Sequence, residues 1–387
     1  MTEFESPGRD GVRAAMDTVV RELGAPSIAV RIQDEHGAWF GSAGSADTVT
    51  GAPRVPGERL HTGSISKAFT AATVLRLETE GRLDLEDTVQ DWLPGSMDGS
   101  EYDAAKITIR HLLNNSSGLF ATGMATEIQR RAMFRSAFDA HRFEVWPPAE
   151  VLRVALSQPP VGAPGERFWY SNGGFAFAAA IVEKATGNSF ESEVDRTVIA
   201  PLGLRHTFTR HREETGYRGR HPRAYAKIFL REGVRPEDVR PDNWGELMED
   251  AGLPPLDVTE ANTSWGWGAA NVVSTLDDLT TFFHAMITGG LLPERQHRAM
   301  WTTIPTAGSH WIANTGYGLG LYELTLSNGL KLRGSGGQSF GTCTLVLGTP
   351  DGRHTIAMHT NNDWAPFPIL DKIIEAEFGA SGFALQG

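Results

Sequence analysis

Gly63-Ser64-Ile65-Ser66-Lys67 opens a helix whose apolar periodicity continues from Ala68 to Glu80. Residues three apart in a helix share a face one turn apart, so the amine of Lys67 can reach the hydroxyl of Ser64. The helix N-terminus adds a partial positive charge where an oxyanion would form. Burial would lower the pKa of Lys67, and a neutral amine can take the proton of Ser64. The stretch therefore describes a serine nucleophile that needs no histidine. On spacing alone an N-capping serine beside a solvated lysine is the favoured reading.

A second stretch, Pro164-Gly165-Glu166-Arg167-Phe168-Trp169-Tyr170-Ser171-Asn172-Gly173-Gly174, stands directly before an apolar helix, Phe175 to Thr186. Two residues apart in extended chain, the phenol of Tyr170 and the amide of Asn172 point to the same side. They offer a proton carrier and a hydrogen-bond donor for a substrate carbonyl. Outward from these stretches, residues 11–23 carry a helical pattern. The strand-like Ser27 to Ile32 comes next, then a turn at Asp34-Glu35-His36-Gly37 and a second strand, Ala38 to Ser42. Near the other end, Leu330 to Arg333, Gly341 to Leu347 and His354 to His359 read as a meander, succeeded by a helix over 366–378. Helical segments at 65–81, 105–115, 173–187 and 275–289 fill the middle. Residues 205–262, rich in Arg, Pro, Glu and Asp, read as a long excursion over the surface. The expected fold is α+β. An antiparallel sheet from both chain ends (1–63 and 305–387) is flanked by helices, with an α-rich lobe (64–304) inserted and a cleft between the lobes.

Ser64-x-x-Lys67, Tyr170-x-Asn172 and the segments Thr108-Ile109-Arg110-His111-Leu112-Leu113-Asn114-Asn115-Ser116-Ser117-Gly118-Leu119 and Ala270-Asn271-Val272-Val273-Ser274-Thr275 occur in an order that resembles the serine β-lactamase and DD-peptidase superfamily. The nearest branch holds class C β-lactamases, actinomycete-type DD-carboxypeptidases and β-lactamase-like esterases. The resemblance spans roughly residues 10 to 378. It implies a β-lactamase/transpeptidase-like fold in which Ser64 is acylated, Lys67 and Tyr170 exchange protons with it, and Asn172 orients Lys67 and the substrate. The family's third motif, a Lys or His two residues before a Gly on the strand flanking the cleft, maps onto Ser335-Gly336-Gly337. Serine replaces the cation there, so its help to Tyr170 and to a substrate carboxylate is missing. Oxyanion donation should survive, because it uses the backbone amides of Ser64 and Gln338.

Lys331, Arg333 and Ser335 alternate onto one face of a strand, and Arg333 is a candidate to supply the lost charge from one pleat, about 6.6 Å, away. A solvated edge-strand arginine is the competing reading. Where the similar carboxypeptidases carry an arginine for a terminal carboxylate, this chain has Tyr322 in Gly320-Leu321-Tyr322-Glu323. Tyr322 forms no such ion pair, which counts against cleavage of cell-wall D-Ala-D-Ala ends.

Other features fit less well. Gly337-Gln338-Ser339-Phe340-Gly341 matches the nucleophile elbow of α/β-hydrolases, but the segment after it, Thr342 to Leu347, is short and β-like rather than helical. His61-Thr62-Gly63 mimics a third motif but lies directly before the nucleophile. The histidines, including His206, His211 and His221, show no metal-ligand spacing, so neither a metal nor a cofactor is expected. Trp265-Gly266-Trp267-Gly268 is read as core packing rather than cleft wall.

With 387 residues, 40% of them hydrophobic and 21% charged, the chain has the composition of an ordinary globular protein. Lys+Arg 35 against Asp+Glu 47 gives a net charge of -12, and no basic run offers a track for phosphates, so nucleic acid is not an expected partner. The lone Cys343 requires no oxidising compartment. The polar start Met1-Thr2-Glu3-Phe4-Glu5-Ser6-Pro7 and the lack of a long apolar run lead to the expectation of a cytoplasmic protein without a membrane span. The expected activity is serine hydrolysis of small ester, amide or peptide substrates, D-amino-acid-containing ones included. The alternatives are an acyltransferase or peptide cyclase/thioesterase of biosynthesis, a D-alanyl-D-alanine carboxypeptidase, and a non-catalytic binding or sensor protein.

Overall fold

A computed structural model of the chain describes residues 9–240, 242–250 and 252–386; the stretch from Met1 to Pro7 lies outside them. Alternation of apolar residues sets the sheet. Strands β1 (Ser27–Asp34) and β2 (Gly37–Asp47) form a hairpin closed by the Asp34–Gly37 pair, with β3 (Ala52–Pro53) at the outer edge. The rest of the sheet comes from β4 (Ile304–Pro305), β5 (Thr315–Tyr317), β6 (Tyr322–Thr325), β7 (Lys331–Ser339), β8 (Thr342–Gly348) and β9 (Thr355–Thr360). These nine strands run antiparallel in the order β3-β2-β1-β9-β8-β7-β6-β5-β4. The two chain ends meet at β1 and β9, in register from Ile28–Thr360 to Gln33–Thr355.

Both faces of the sheet are covered. Ile28, Val30, Ile32, Leu345, Leu347, Ile356 and Met358 pack with helix α1 (Asp10–Arg21) and a late helix, Pro366–Phe378. The alternate residues Ala29, Val346 and Ala357 join the larger core with α2 (Ser66–Thr79), α3 (Asn172–Thr186) and α4 (Leu276–Thr288); the late helix is α5. Helix α2 is buried on nearly every side, which is why it shows no polar face. Phe69 of α2 stacks on Phe282 of α4 with centroids 3.9 Å apart. Each such buried side chain contributes about 1.5–3 kcal/mol, so the segment bearing the Ser-x-x-Lys pair is held at the centre of the molecule.

The long helices fall close to the periodic segments. The expected helix at 105–115 contracts to Ile109–Leu113, because Thr108 caps its start and Asn115 turns left-handed (φ 60°) after its end. The strand expected to stop at Arg333 runs on to Ser339. Its glycines admit close neighbours rather than breaking it: a Cβ at Gly334 would lie 1.9 Å from the Val346 carbonyl.

The excursion is not confined to the surface. Ala226, Phe229 and Leu230 are buried, the first two against Phe138 and Val258 and the third against Phe134 and Met133. These are satellite cores under a long loop. No helix among the described residues is long and apolar enough to cross a membrane.

Candidate active site

The short strand Leu60–His61 pairs with Val272–Ser274 and delivers the chain into a single 3-10 turn, Gly63–Ile65, from which α2 rises. Gly63 has φ 54°, a left-handed conformation that favours glycine. The turn abuts β7 backbone to backbone. A Cβ built on Gly63 would lie 2.8 Å from the Gln338 nitrogen, and one on Gly337 would lie 2.6 Å from the Ser64 nitrogen. Two glycines therefore let the amides of Ser64 and Gln338 approach each other. The β6 partner of β7 ends at the Tyr322–Gly334 pair, whereas β8 stays paired through Ser339, so residues 335–339 keep one edge without a strand partner among the described residues.

The side chains meet at this edge. The Tyr170 hydroxyl donates to Ser64 Oγ (2.7 Å), and Lys67 Nζ lies 3.1 Å from the same oxygen. Lys67 also donates to Asn172 Oδ1 (2.7 Å) and to the carbonyl of Ala269 (3.2 Å). Its amine sits over the rings of Tyr170 and Phe175, at 4.7 and 5.4 Å from their centroids. Lys67 is 0% exposed, no carboxylate among the described residues pairs with it, and desolvation holds its pKa well below the usual lysine value. Burial pushes the phenol of Tyr170 up, with the hydrogen bond to Ser64 opposing, so it stays protonated at neutral pH. A neutral base and a protonated acid thus flank one hydroxyl. Asn172 belongs to the first turn of α3, whose N-terminus is capped by Ser171 accepting from the Gly173 N–H.

Gly336, Gly337 and Gln338 line a cavity of about 280 Å3 with Ser64, Tyr170 and Asn172. Ser335 is buried (4% exposed) and does not reach the lining. The Gln338 side chain is turned away, donating to the carbonyl of Asp363 at 2.6 Å. Sequence reasoning missed the far wall, made by Trp311, Ile312, Phe367, Leu370, Phe383 and Leu385. Trp311 stacks on Tyr170 (4.3 Å between centroids, 20° between planes) and fixes the phenol ring. These residues come from a loop, a helix end and the C-terminal segment, with no shared periodicity to reveal them. Asp363 was missed too. Its buried carboxyl, pushed up to about 6 by desolvation against the N–H groups of Gly341 and Lys227, ties the turn after β7 to the excursion.

Two expectations are corrected. Arg333 does not reach this cavity. Its guanidinium pairs with Glu323 (3.2 Å) and lies over Trp301 (4.8 Å) in a separate groove, and Lys331 pairs with the same carboxylate (2.7 Å). Arg333→Ala and Lys331→Ala are therefore expected to change turnover equally little, within about twofold, because exposed or half-exposed ion pairs contribute only ~0–1 kcal/mol. A selective collapse on Arg333→Ala in steady-state assays would refute this placement. Tyr322 is a core residue (1% exposed) beneath the sheet, its hydroxyl about 3.1 Å from where a Gly336 Cβ would stand, and it does not line the cavity.

Of the remaining features, Trp267 packs edge-on against Phe190, whereas Trp265 lines a side pocket shared with Asn172 and Gln338. The elbow-like Gly337-to-Gly341 stretch is the end of β7, paired with β8 through Ser339, and the two-residue turn Phe340-Gly341 into β8.

Comparison with known proteins agrees with this geometry. A family profile described as Beta-lactamase matches residues 12–376. Penicillin-binding protein 4* of Bacillus subtilis is 26% identical over 325 residues, 83% of this chain; the chain spans 65% of that protein's length. Esterase EstB of Burkholderia gladioli is 30% identical over 302 residues, covering 73% of this chain and 71% of the esterase. Among solved structures, a D-stereospecific amidohydrolase from Streptomyces sp. superposes with a TM-score of 0.83 at 33% identity, over 96% of this chain and 99% of the other. With the profile covering nearly the whole chain and the arrangement around Ser64 in place, the chain belongs to the Beta-lactamase family.

Proposed function

We propose that this protein is a serine hydrolase that cleaves esters or amides of small, uncharged, apolar substrates through an acyl-enzyme on Ser64. One observation carries the reading: Ser64 Oγ lies 3.1 Å from a desolvated amine and 2.7 Å from a protonated phenol. Ser64 Oγ attacks the carbonyl carbon while its proton passes to Lys67 Nζ. The oxyanion is held by the backbone N–H groups of Ser64 and Gln338. As the intermediate collapses, the bond to the leaving oxygen or nitrogen breaks, and Tyr170 supplies the proton that atom needs. The proton on Lys67 restores Tyr170. Water then attacks the acyl carbon while its proton passes, by way of Tyr170, to Lys67; as the bond from the acyl carbon to Ser64 Oγ breaks, that proton returns to Oγ and the acid leaves.

The lining argues for the substrate class. Among the described residues, no Lys, Arg or His lines the 280 Å3 cavity or the adjoining side pocket. A substrate carboxylate would be desolvated there without a partner, at a cost of several kcal/mol. Trp311, Phe383 and Leu385 instead favour an apolar group. This weighs against D-alanyl-D-alanine ends and the carboxylate of a β-lactam. By their names, EstB acts on esters and the Streptomyces enzyme on D-configured amide-type bonds, and both chemistries suit this site. Division of the chain into a sheet lobe (1–63 and 305–387) and a helical lobe (64–304), with the reaction between them, belongs to the same proposal.

The test is mass spectrometry after exposure to a fluorophosphonate, together with turnover of neutral aryl esters and their carboxylated analogues. A single adduct on the Ser64 peptide and a preference for the neutral esters are expected. No adduct would favour a non-catalytic sensor, and preferred turnover of the carboxylates would reinstate a carboxypeptidase. Adding amines during turnover then distinguishes hydrolysis from acyl transfer or cyclisation.

A further inference from the structure

Gly379, at φ 67°, ends α5 in the left-handed conformation, and residues 380–386 return to wall the cavity that holds Ser64. Hydrogen bonds pin this strap along its length. The N–H groups of Gly382 and Phe383 donate to Asp371 Oδ1 of α5 (2.9 and 2.8 Å), and the Ser381 carbonyl accepts from the Ser327 N–H (2.9 Å). Further on, Leu385 forms an antiparallel bridge with Ile312. The Ala313 N–H donates to the Ala384 carbonyl on one side (2.7 Å), and the Gln386 N–H to the Trp311 carbonyl on the other (2.8 Å). The Gln386 side chain accepts from the Gly308 N–H (2.9 Å) and donates to the Thr306 carbonyl (3.2 Å).

The strap brings two side chains to the cavity, and they differ. Phe383 is buried against Phe367, with centroids 5.2 Å apart, whereas Leu385 is 55% exposed although it lines the same space. An apolar side chain held half out of the fold by backbone bonds on both sides has surface left to bury against a ligand.

The reacting atoms decide which part of a substrate meets it. A carbonyl carbon bonded to Ser64 Oγ carries three further groups. The oxyanion faces the amides of Ser64 and Gln338. The leaving atom comes to the Tyr170 hydroxyl, which gives it a proton as its bond to the carbon breaks, and the acyl chain takes the direction left over. Two spaces adjoin this point. The 280 Å3 cavity includes Tyr170 and follows Trp311, stacked on the phenol, to Phe383 and Leu385. The side pocket reaches Asn172 and Gln338 and extends to Ile128, Trp265 and Phe340; among the described residues, neither Ser64 nor Tyr170 lines it.

On the acyl-enzyme reading, we propose that the strap forms the leaving-group subsite. Leu385, with Phe383 and Trp311, selects esters and amides whose leaving group is a neutral apolar ring or branched chain, while the acyl chain lies in the side pocket. An apolar cavity of about 150 Å3 takes up benzene, so the space beside Tyr170 accommodates a substituted aryl ring. Leu385 thus touches the group that departs and not the acyl-enzyme that remains.

Two ester series test this on the full chain. Acetates of phenol, para-ethylphenol and para-butylphenol, alcohols of similar acidity, vary the fit of the leaving group; phenyl esters from acetate to hexanoate vary the acyl chain. For the wild type, kcat/KM is expected to rise about tenfold from phenyl to para-butylphenyl acetate. Leu385→Ala should cut that rise to about threefold or less, and Leu385→Trp, which fills the opening, should reverse it. Both variants should keep the wild-type dependence on acyl length and the wild-type rate of acetyl-enzyme hydrolysis after the burst, readouts that a general loss of structure would shift. A flat leaving-group series in the wild type overturns the proposal whatever the variants do. So do identical series in wild type and variants, or a change confined to the acyl series or to acetyl-enzyme hydrolysis. If any of these comes with a fluorophosphonate adduct on Ser64, the acyl-enzyme reading stands and the subsite alone falls; with neither adduct nor ester turnover, both fall.

Discussion

A Lys67→Met variant is expected to lose acylation of Ser64 by about 10²–10⁴-fold, the range associated with removing a positioned general base, while remaining folded. Methionine matches the length of the stem and fills the same slot, beside Phe175 and Tyr170. The informative measurement is stability against pH. The native amine is held neutral by burial, its pKa well below 10.5. The unfolded chain, by contrast, protonates Lys67 as pH falls through about 10.4. Below that point the unfolded state binds one proton that the native state does not, so wild-type stability falls with decreasing pH by about 1.4 kcal/mol per unit until the native pKa is reached. Lys67→Met removes this slope. Chemical denaturation of both proteins at several pH values between 7 and 10 should give a difference that grows in the variant's favour as pH drops. Parallel stability curves would mean that Lys67 is charged in the native state and is not the base. Wild-type activity should correspondingly fall only at pH values low enough to protonate the buried amine.

Gly337→Ala is the second large effect. Its Cβ would stand 2.0 Å from the Thr62 carbonyl oxygen, 2.6 Å from the Ser64 nitrogen and 2.8 Å from the Ile65 nitrogen. All three are backbone atoms, so no side-chain rotation relieves the overlap. Overpacking of this kind costs about 1–3 kcal/mol. It also pushes β7 away from the turn, separating the two amides proposed to receive the oxyanion. A displacement of about 1 Å at such a site costs about 10²-fold in rate. Gly216→Ala, where a Cβ meets nothing within 4 Å, is the matched control and should stay within ~0.5 kcal/mol of wild type. Denaturation midpoints together with the rate of covalent labelling at Ser64 measure both quantities. Labelling of Gly337→Ala at the wild-type rate would show that the close approach is irrelevant to catalysis.

The parts of the site that could be read from sequence are those fixed by local geometry. One helical turn relates Ser64 to Lys67, which touch, and the close spacing of Tyr170 and Asn172 brings the first to Ser64 and the second to Lys67, although Asn172 already stands in the first turn of α3. Helix α5 over 366–378 was legible because its periodicity and its flanking proline and glycine agree. What depended on distant pairing was not legible. Alternation correctly puts Lys331 and Arg333 on one face, but only the Glu323–Arg333 register reveals which carboxylate awaits them. Tyr322 lies opposite Gly334, on the face packed by α1 and α5, with its hydroxyl 3.1 Å from where a Cβ on Gly336 would stand. Trp311 and Phe383 reach the cavity through loops. In the excursion, two- and three-residue segments bury Phe229 and Leu230 without ever repeating long enough to show a period.

The pairing of β1 with β9 sets the order in which a working protein can come into being during synthesis. Ribosomes deliver the serine and its amine early, but the strand carrying Gln338, and the one that closes the sheet onto β1, leave the exit tunnel more than 260 residues later. Topologies dominated by such remote partners fold slowly. A nascent or prematurely terminated polypeptide would therefore hold a nucleophile with nothing opposite it, and covalent capture at Ser64 would count only molecules whose two ends have already joined.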